Sequence, residues 1–260
     1  MTHPARSQFE PLADGYARSR SHTEGRTLAI LIDLAAPRPE DVAIDVATGA
    51  GSTALAVAPL VRTMVAHDLT PAMVRRTLLS ARERGLPGVL GAISPAETLP
   101  FAEGRFDLVT CRTAAHHFDD VPRAVAEMAR VLRPGGRLVL SDQVASRDPA
   151  VRGMQDRVEI LHDPTHRATF TPEEWLRVLE DANLHDLTVV GSAEERVSEL
   201  DEPTSVAEWC ARSRTAPEAE KEICEILSGA ESPLREALGV EGSGRLLGFR
   251  VWKLVVSARR

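Results

Sequence analysis

Residues Ile44–Gly51 read I-D-V-A-T-G-A-G, and this stretch limits the fold more than any other part of the chain. A short apolar run (Val42, Ala43, Ile44, Asp45, Val46) stops at a loop carrying Gly49 and Gly51, and a helix-like run from Ser52 to Leu60 follows at once. Strand, glycine loop and helix in that order turn backbone N–H groups toward one point, which suits a nucleotide-like ligand. The loop alone does not specify which nucleotide.

The same alternation continues downstream. Strand-like runs at Val42–Ala47, Thr63–His67, Gly88–Ile93, Phe106–Cys111 and Gly136–Asp142 are separated by helix-like runs near Ser52–Leu60, Pro71–Arg84 and Val121–Leu132. Regular alternation predicts parallel strands joined by right-handed crossovers, with helices on both faces. Val121, Val125, Met128 and Leu132 share one helix face. Arg133-Pro134-Gly135-Gly136 has Pro and Gly where a type II turn wants them.

Upstream, residues 1 to about 20 read as a mobile arm, and Thr23–Ala35 as a helix ended by Pro37 and Pro39. Past Asp142 the alternation lapses. Val151–Leu161 reads as a helix. Thr171-Pro172-Glu173-Glu174 is a capping box with Pro in the first helical position. A strand near Leu184–Val190, helices near Thr204–Arg214 and Pro217–Leu227, and a closing strand over Leu246–Val256 complete the chain. No internal repeat or low-complexity linker divides it. The expectation is therefore one domain over 1–260, with an N-terminal arm and helix (1–36), a cofactor-binding core (41–142) and helical insertions at 143–171 and 200–230.

Several classes are disfavoured by composition. The formal net charge is −7 and aromatic residues make up 4%, against a nucleic-acid binder with a basic surface or stacking platform. Cys111, Cys210 and Cys224 are odd in number and far apart, which suits reduced thiols in a cytoplasmic protein better than a disulfide frame or zinc site. No run reaches the roughly 18 apolar residues of a membrane span.

Asp68 closes the second strand, 19 residues beyond Gly49. At the carboxyl edge of a parallel sheet its carboxylate can accept both ribose hydroxyls of an adenosine ligand; the competing reading is an acid capping the helix that starts near Pro71. Ala54 at the third glycine position leaves a nicotinamide-dependent enzyme open at the loop. Against such a reductase, Tyr16 is the lone tyrosine, so no Tyr-x-x-x-Lys pair exists.

The set D-V-A-T-G-A-G, H-D-L-T-P-A-M-V, A-E-T-L-P-F, F-D-L-V-T-C-R-T-A-A-H-H-F and R-V-L-R-P-G-G-R-L-V-L-S-D resembles class I S-adenosylmethionine-dependent methyltransferases. It looks most like the branch of the ubiquinone/menaquinone-biosynthesis C-methyltransferases. The segments span Val42 to Asp142 in the order of that family. The resemblance implies a Rossmann-like α/β fold, a doubly wound, mostly parallel seven-stranded sheet with helices on both faces and an antiparallel last strand. It implies S-adenosyl-L-methionine as cofactor, a small-molecule acceptor, no nucleic-acid or membrane partner, and a monomer or homodimer.

It also implies residue roles. Asp45 and the backbone of Ala47, Gly49 and Gly51 hold the methionine end, and Thr53 stands near the helix start. Asp68 binds the ribose and Leu69 packs on the adenine, although Leu69 also reads as an ordinary core leucine. Ala96 and Glu97 line the adenine edge, with Glu97 also readable as a solvated loop acid. Arg112 lies below the sulfonium and carboxypropyl region.

There are two departures from the family pattern. Ala47 stands where many members have glycine. Ser94-Pro95-Ala96-Glu97 stands where members commonly carry Gly-Asp-Ala-Glu, whose Asp receives the adenine amino group. Proline has neither a side-chain acceptor nor an N–H, so one hydrogen bond worth roughly 0.5–1.5 kcal/mol is expected to be missing.

Candidates for a catalytic base are His116 and His117, after the fourth strand, where such sheets bind ligands. The alternative has one capping the next helix and the other packing on Phe118. Asp142, ending the fifth strand, either faces the site or makes a cap or salt bridge. Tyr16 and His22 in the arm are candidate lid contacts, and His162 and His166 candidate substrate contacts. The His162-x-x-x-His166 spacing suggests no metal, because Pro164 breaks the helix that would align the rings. The leading expectation is methyl transfer to a small molecule. The alternative is a protein of the same fold that binds the cofactor but catalyses a non-methylating reaction or serves as a non-catalytic subunit.

Overall fold

Seven strands form one sheet in the order β3-β2-β1-β4-β5-β9-β6 in the computed structural model, which describes residues 4–13, 25–191, 202–229, 231–243 and 247–260. The strands are β1 Val42–Val46, β2 Thr63–Asp68, β3 Val89–Ile93, β4 Phe106–Arg112, β5 Leu132–Gln143, β6 His185–Val190 and β9 Lys253–Arg259. β1 pairs in parallel with both β2 and β4, β2 with β3, and β4 with β5, while β6 and β9 run antiparallel. This is the expected Rossmann-like, doubly wound arrangement. Strand order reverses between β1 and β4, and ligands of such sheets bind at the carboxyl ends of the strands at that switch point.

The chain divides into two compact units. The first comprises Met1–Asp142, Trp175–Val190 and Val255–Arg260, and holds the large sheet. Its helices are α1 Pro4–Phe9, α2 Arg26–Ala35, α3 Ser52–Val57, α4 Pro71–Glu83, α5 Val121–Val131 and most of α7 Pro172–Asp181. β1 and β4 are almost entirely buried, as central strands covered on both faces must be. In α5 the predicted face is buried: Val121, Val125 and Met128, with Leu132 just after it. Asp120 caps that helix by accepting the Arg123 N–H at 3.0 Å. Buried Arg137 ties α2 to the sheet, donating to the Ala35 carbonyl at 2.8 Å and pairing with Asp41.

The turn read from Arg133-Pro134-Gly135-Gly136 is present, with Gly135 at φ +76° where a type II turn needs the left-handed region. It lies inside β5 rather than before it. The β4–β5 register steps from Phe106↔Leu132 to Leu108↔Arg137, so the extra residues loop out of a continuing strand.

The second unit comprises Gln143–Glu174 and Gly191–Leu254. Its helices are α6 Pro149–His162, α8 Val206–Ser213, α9 Pro217–Gly229 and α10 Ser232–Ala237, with a two-stranded antiparallel ribbon of β7 Glu202–Ser205 and β8 Gly248–Val251. Its core gathers Val158, Val206, Trp209, Ile223, Leu227 and Phe249. The capping box forms as read: Thr171 N donates to Glu174 Oε2 at 2.7 Å, and Glu174 N to Thr171 Oγ1 at 3.2 Å.

Two element assignments need correction. The single closing strand over 246–256 is two strands, β8 and β9, serving different sheets; an unbroken apolar run does not reveal where its hydrogen bonds change partner. The first residues are also not simply an arm. Pro4–Phe9 is helical, Glu10–Leu12 is a 3₁₀ turn, and Ala13 packs with Ala50 and Met73.

Candidate functional site

The loop between β1 and α3 is held from below by two buried carboxylates. Asp45 Oδ2 accepts the Thr48 hydroxyl at 2.7 Å and the Ala54 N–H at 3.1 Å, and its Oδ1 accepts the Thr110 hydroxyl at 2.7 Å. Burial raises its pKa from 3.8 to about 6, although these bonds and the charge of Arg112 pull the other way. Asp45 therefore braces the loop through side chains and backbone, with its oxygens engaged inside the protein.

Asp68 closes β2 beside the loop. Its Oδ2 accepts the Gly49 N–H at 2.9 Å and its Oδ1 the Thr70 N–H at 2.8 Å. An ionised carboxylate offers about four lone-pair sites. The Thr70 side chain and the Leu69 N–H also bond to this carboxylate, which gathers the backbone at the carboxyl edge of β2. Burial also raises the Asp68 pKa, opposed by these N–H donors. Leu69, next along, is half-buried.

The loop itself depends on left-handed backbone. Ala47 has φ +54°, Gly49 +55° and Gly51 +89°. A Cβ on Gly51 would stand 2.5 Å from Thr77 Cγ2, and the Thr77 hydroxyl donates to the Gly49 carbonyl at 3.0 Å. A Cβ on Gly49 would meet open space. The departure at Ala47 falls on left-handed backbone. The position wants glycine, and alanine occupies it at a cost of roughly 1–2 kcal/mol.

On the other side of the switch point, Arg112 ends β4. Its Nε donates to Thr53 Oγ1 at 3.1 Å and its Nη1 to buried Thr27 at 3.5 Å, joining the strand end to α3 and α2. Thr113 follows at φ +53°, unusual for a β-branched residue. Strained backbone of this kind concentrates at functional sites.

The turn after Thr113 separates the two candidate bases. His116 Nδ1 lies 2.6 Å from Asp142 Oδ1, and the His116 backbone N–H donates to Asp142 Oδ2 at 3.2 Å. His117 stacks edge-on against Phe9 of α1, ring centroids 4.9 Å apart, and its ring is 4.1 Å from that of His116. Asp142 is buried at the carboxyl end of β5. The sequence marked it as ending that strand but left open whether it faced the site or made a salt bridge. Its partner is set by the tertiary register of β4 on β5.

The adenine-edge candidates are already partnered. Glu97 Oε1 accepts the N–H groups of Asp119 at 3.0 Å and Asp120 at 3.4 Å, and the Glu97 carbonyl accepts Arg123 Nε at 3.1 Å. Ala96 is buried beside it and Pro95 is exposed. His67, which sequence reading did not single out, is buried in β2 with its Nε2 2.9 Å from Ser94 Oγ, and burial lowers its pKa to about 4.

His162 and His166 lie within the second unit. His162 Nε2 is 2.9 Å from Ser213 Oγ and Nδ1 3.1 Å from Thr215 Oγ1, and the ring stacks on Trp209 at 3.6 Å. His166 bridges Gln143 at 3.4 Å and Thr169 at 3.0 Å. Both rings are part of buried polar networks. Among the described residues no group of three or more His, Cys, Asp or Glu side chains is placed to hold a metal ion, and no helix is long and apolar enough to cross a membrane. Tyr16 and His22 lie outside the described residues.

Known proteins resemble this chain in sequence and fold. A family model described as a methyltransferase domain matches residues 44–140. The uncharacterized methyltransferase YcgJ of Bacillus subtilis is 34% identical over 228 residues, 88% of this chain and 87% of that protein. The crystal structure of YcgJ superposes with a TM-score of 0.83 at 31% identity, covering 90% of this chain and 97% of that one. A demethylmenaquinone methyltransferase of Thermus thermophilus is 38% identical over 112 residues, 42% of this chain and 50% of that protein.

Proposed function

The chain belongs to the class I S-adenosylmethionine-dependent methyltransferases, and from that premise we propose that it methylates a small molecule whose accepting atom carries a proton, with His116 as the base. The residues of the loop suit the cofactor. Asp68 stands at the carboxyl edge beside the loop, a Cβ on Gly49 would meet open space, and α3 begins directly after Gly51. Bound there, S-adenosylmethionine supplies a methyl group on a sulfonium.

The observation that carries the choice of base is the 2.6 Å contact between His116 Nδ1 and Asp142 Oδ1. A buried carboxylate accepting the Nδ1 proton fixes the tautomer, so that Nε2 carries the lone pair. The second bond, from the His116 N–H to the same carboxylate, fixes the turn on which the ring is mounted. His116 then takes the proton from the acceptor as the new bond to carbon forms, and Asp142 steadies the resulting imidazolium. His117, against Phe9, packs the N-terminal helix onto the same turn. The acid Asp45 and the cation Arg112 set the shape of the loop rather than moving protons.

A phenol, enol or quinol fits this chemistry, and the quinone-ring relative makes quinols a natural first probe. The experiment is a panel of phenols, quinols, enols, amines and thiols incubated with protein and methyl-labelled cofactor. Labelled product from a proton-bearing acceptor is expected, with loss of roughly 10²-fold or more in His116→Ala. Cofactor binding with no S-adenosylhomocysteine formed across the panel would overturn the proposal.

A further inference from the structure

We propose that this chain does not read the 6-amino group of the cofactor's adenine with any side chain, so that its cofactor site tolerates changes at that position. The inference rests on the cofactor reading above and deepens it. Along the carboxyl edge the strands follow in the order β4, β1, β2, β3. With the ribose on Asp68 at the tip of β2, and the methionine end toward the loop after β1, the base falls toward the loop after β3. That loop is Ser94–Glu97, since Asp68 pairs with Ile93.

The position that would face a 6-amino group carries no side-chain acceptor. Pro95 has no polar side-chain atom. Its carbonyl already accepts the Ser94 hydroxyl at 3.0 Å and the Thr98 N–H at 3.2 Å. Ser94 Oγ is also in contact with buried His67, at 2.9 Å. Glu97 is anchored through Oε1 to the N–H groups of Asp119 and Asp120, at the start of α5. An unsatisfied donor is costly only if it is buried away from water, and Pro95 is exposed. The amino group therefore hydrogen-bonds to solvent, and substituting or deleting it removes no protein contact.

Calorimetry with three ligands tests this: S-adenosylhomocysteine, its 6-desamino analogue and its N6-methyl analogue, all of which keep ring nitrogen 1 as an acceptor. The wild-type dissociation constants are expected to agree within about threefold. In Pro95→Asp, which restores a carboxylate, S-adenosylhomocysteine is expected to tighten about tenfold while the desamino analogue does not. Wild-type discrimination of tenfold or more against the desamino analogue would overturn the inference and leave the cofactor reading intact. Failure of S-adenosylhomocysteine itself to bind would overturn that reading as well. The wild-type comparison decides the matter even if the variant does not fold.

Discussion

His116 Nδ1 and Asp142 Oδ1 stand 2.6 Å apart, joining the turn after β4 to the end of β5. The same carboxylate receives the His116 backbone N–H. A residue held at both ring and backbone by one buried acid has a fixed orientation before any ligand arrives, and such preorganisation is what a positioned base requires.

That geometry separates three variants. His116→Ala should lower kcat by roughly 10²–10⁴-fold. Asp142→Ala should lower it less, by about tenfold or more, and Asp142→Asn by at least as much, since both carboxylate oxygens accept from His116 and an amide offers only one acceptor. Dissociation constants for S-adenosylhomocysteine should stay within about threefold of wild type in all three. A mainly structural role for Asp142 would instead shift cofactor affinity and kcat together. His117→Ala should leave kcat nearly intact, because its ring packs on Phe9.

Ala47 carries left-handed backbone at φ +54°. Ala47→Gly should relieve that strain, offset in part by the greater freedom of glycine in the unfolded chain. The net gain should be roughly 0.5–1 kcal/mol. Reversible denaturation measures it. A loss of stability would mean that the alanine methyl packs well enough to outweigh its backbone conformation.

Two buried groups give opposite pH dependences. The Asp45 carboxyl rises from 3.8 to about 6 on folding, so between those values the folded state holds the extra proton. Stability from this group falls as pH rises through that window. The His67 imidazole drops from 6.5 to about 4, so there the unfolded chain holds the extra proton. Its contribution is complete above 6.5 and is lost as pH falls toward 4. Each amounts to about 3 kcal/mol at most. Wild-type stability minus that of Asp45→Asn should therefore decrease from pH 4 to 6, and wild type minus His67→Gln should increase from pH 4 to 6.5. Denaturant titrations at stepped pH would show flat differences if burial were not the cause.

The first unit was largely legible because each of its signals is local. Apolar runs, the glycine loop and the 19-residue step from Gly49 to Asp68 mark the strand–helix alternation, and the loop and acid meet in one hydrogen bond. The capping box at Thr171 was legible for the same reason. What stayed hidden depends on register between distant segments. The pairing of Asp142 with His116 needs β5 placed beside β4, and the engagement of Glu97 by Asp119 and Asp120 needs the loop after β3 to reach the start of α5. The ribbon of β7 and β8 needs two segments more than 40 residues apart to find each other. Histidine spacing in the sequence also did not distinguish a substrate contact from a buried structural ring. His162 stacks on Trp209 with both nitrogens in hydrogen bonds, contacts that only the tertiary fold supplies.

The most direct test of the account is the affinity of Asp68→Ala for S-adenosylhomocysteine, measured by calorimetry alongside wild type with folding checked by thermal denaturation. Loss of the carboxylate proposed to receive the ribose should weaken binding tenfold or more, about 1.4 kcal/mol. A folded variant that binds as tightly as wild type would contradict the placement of the cofactor on the Gly49–Asp68 cradle.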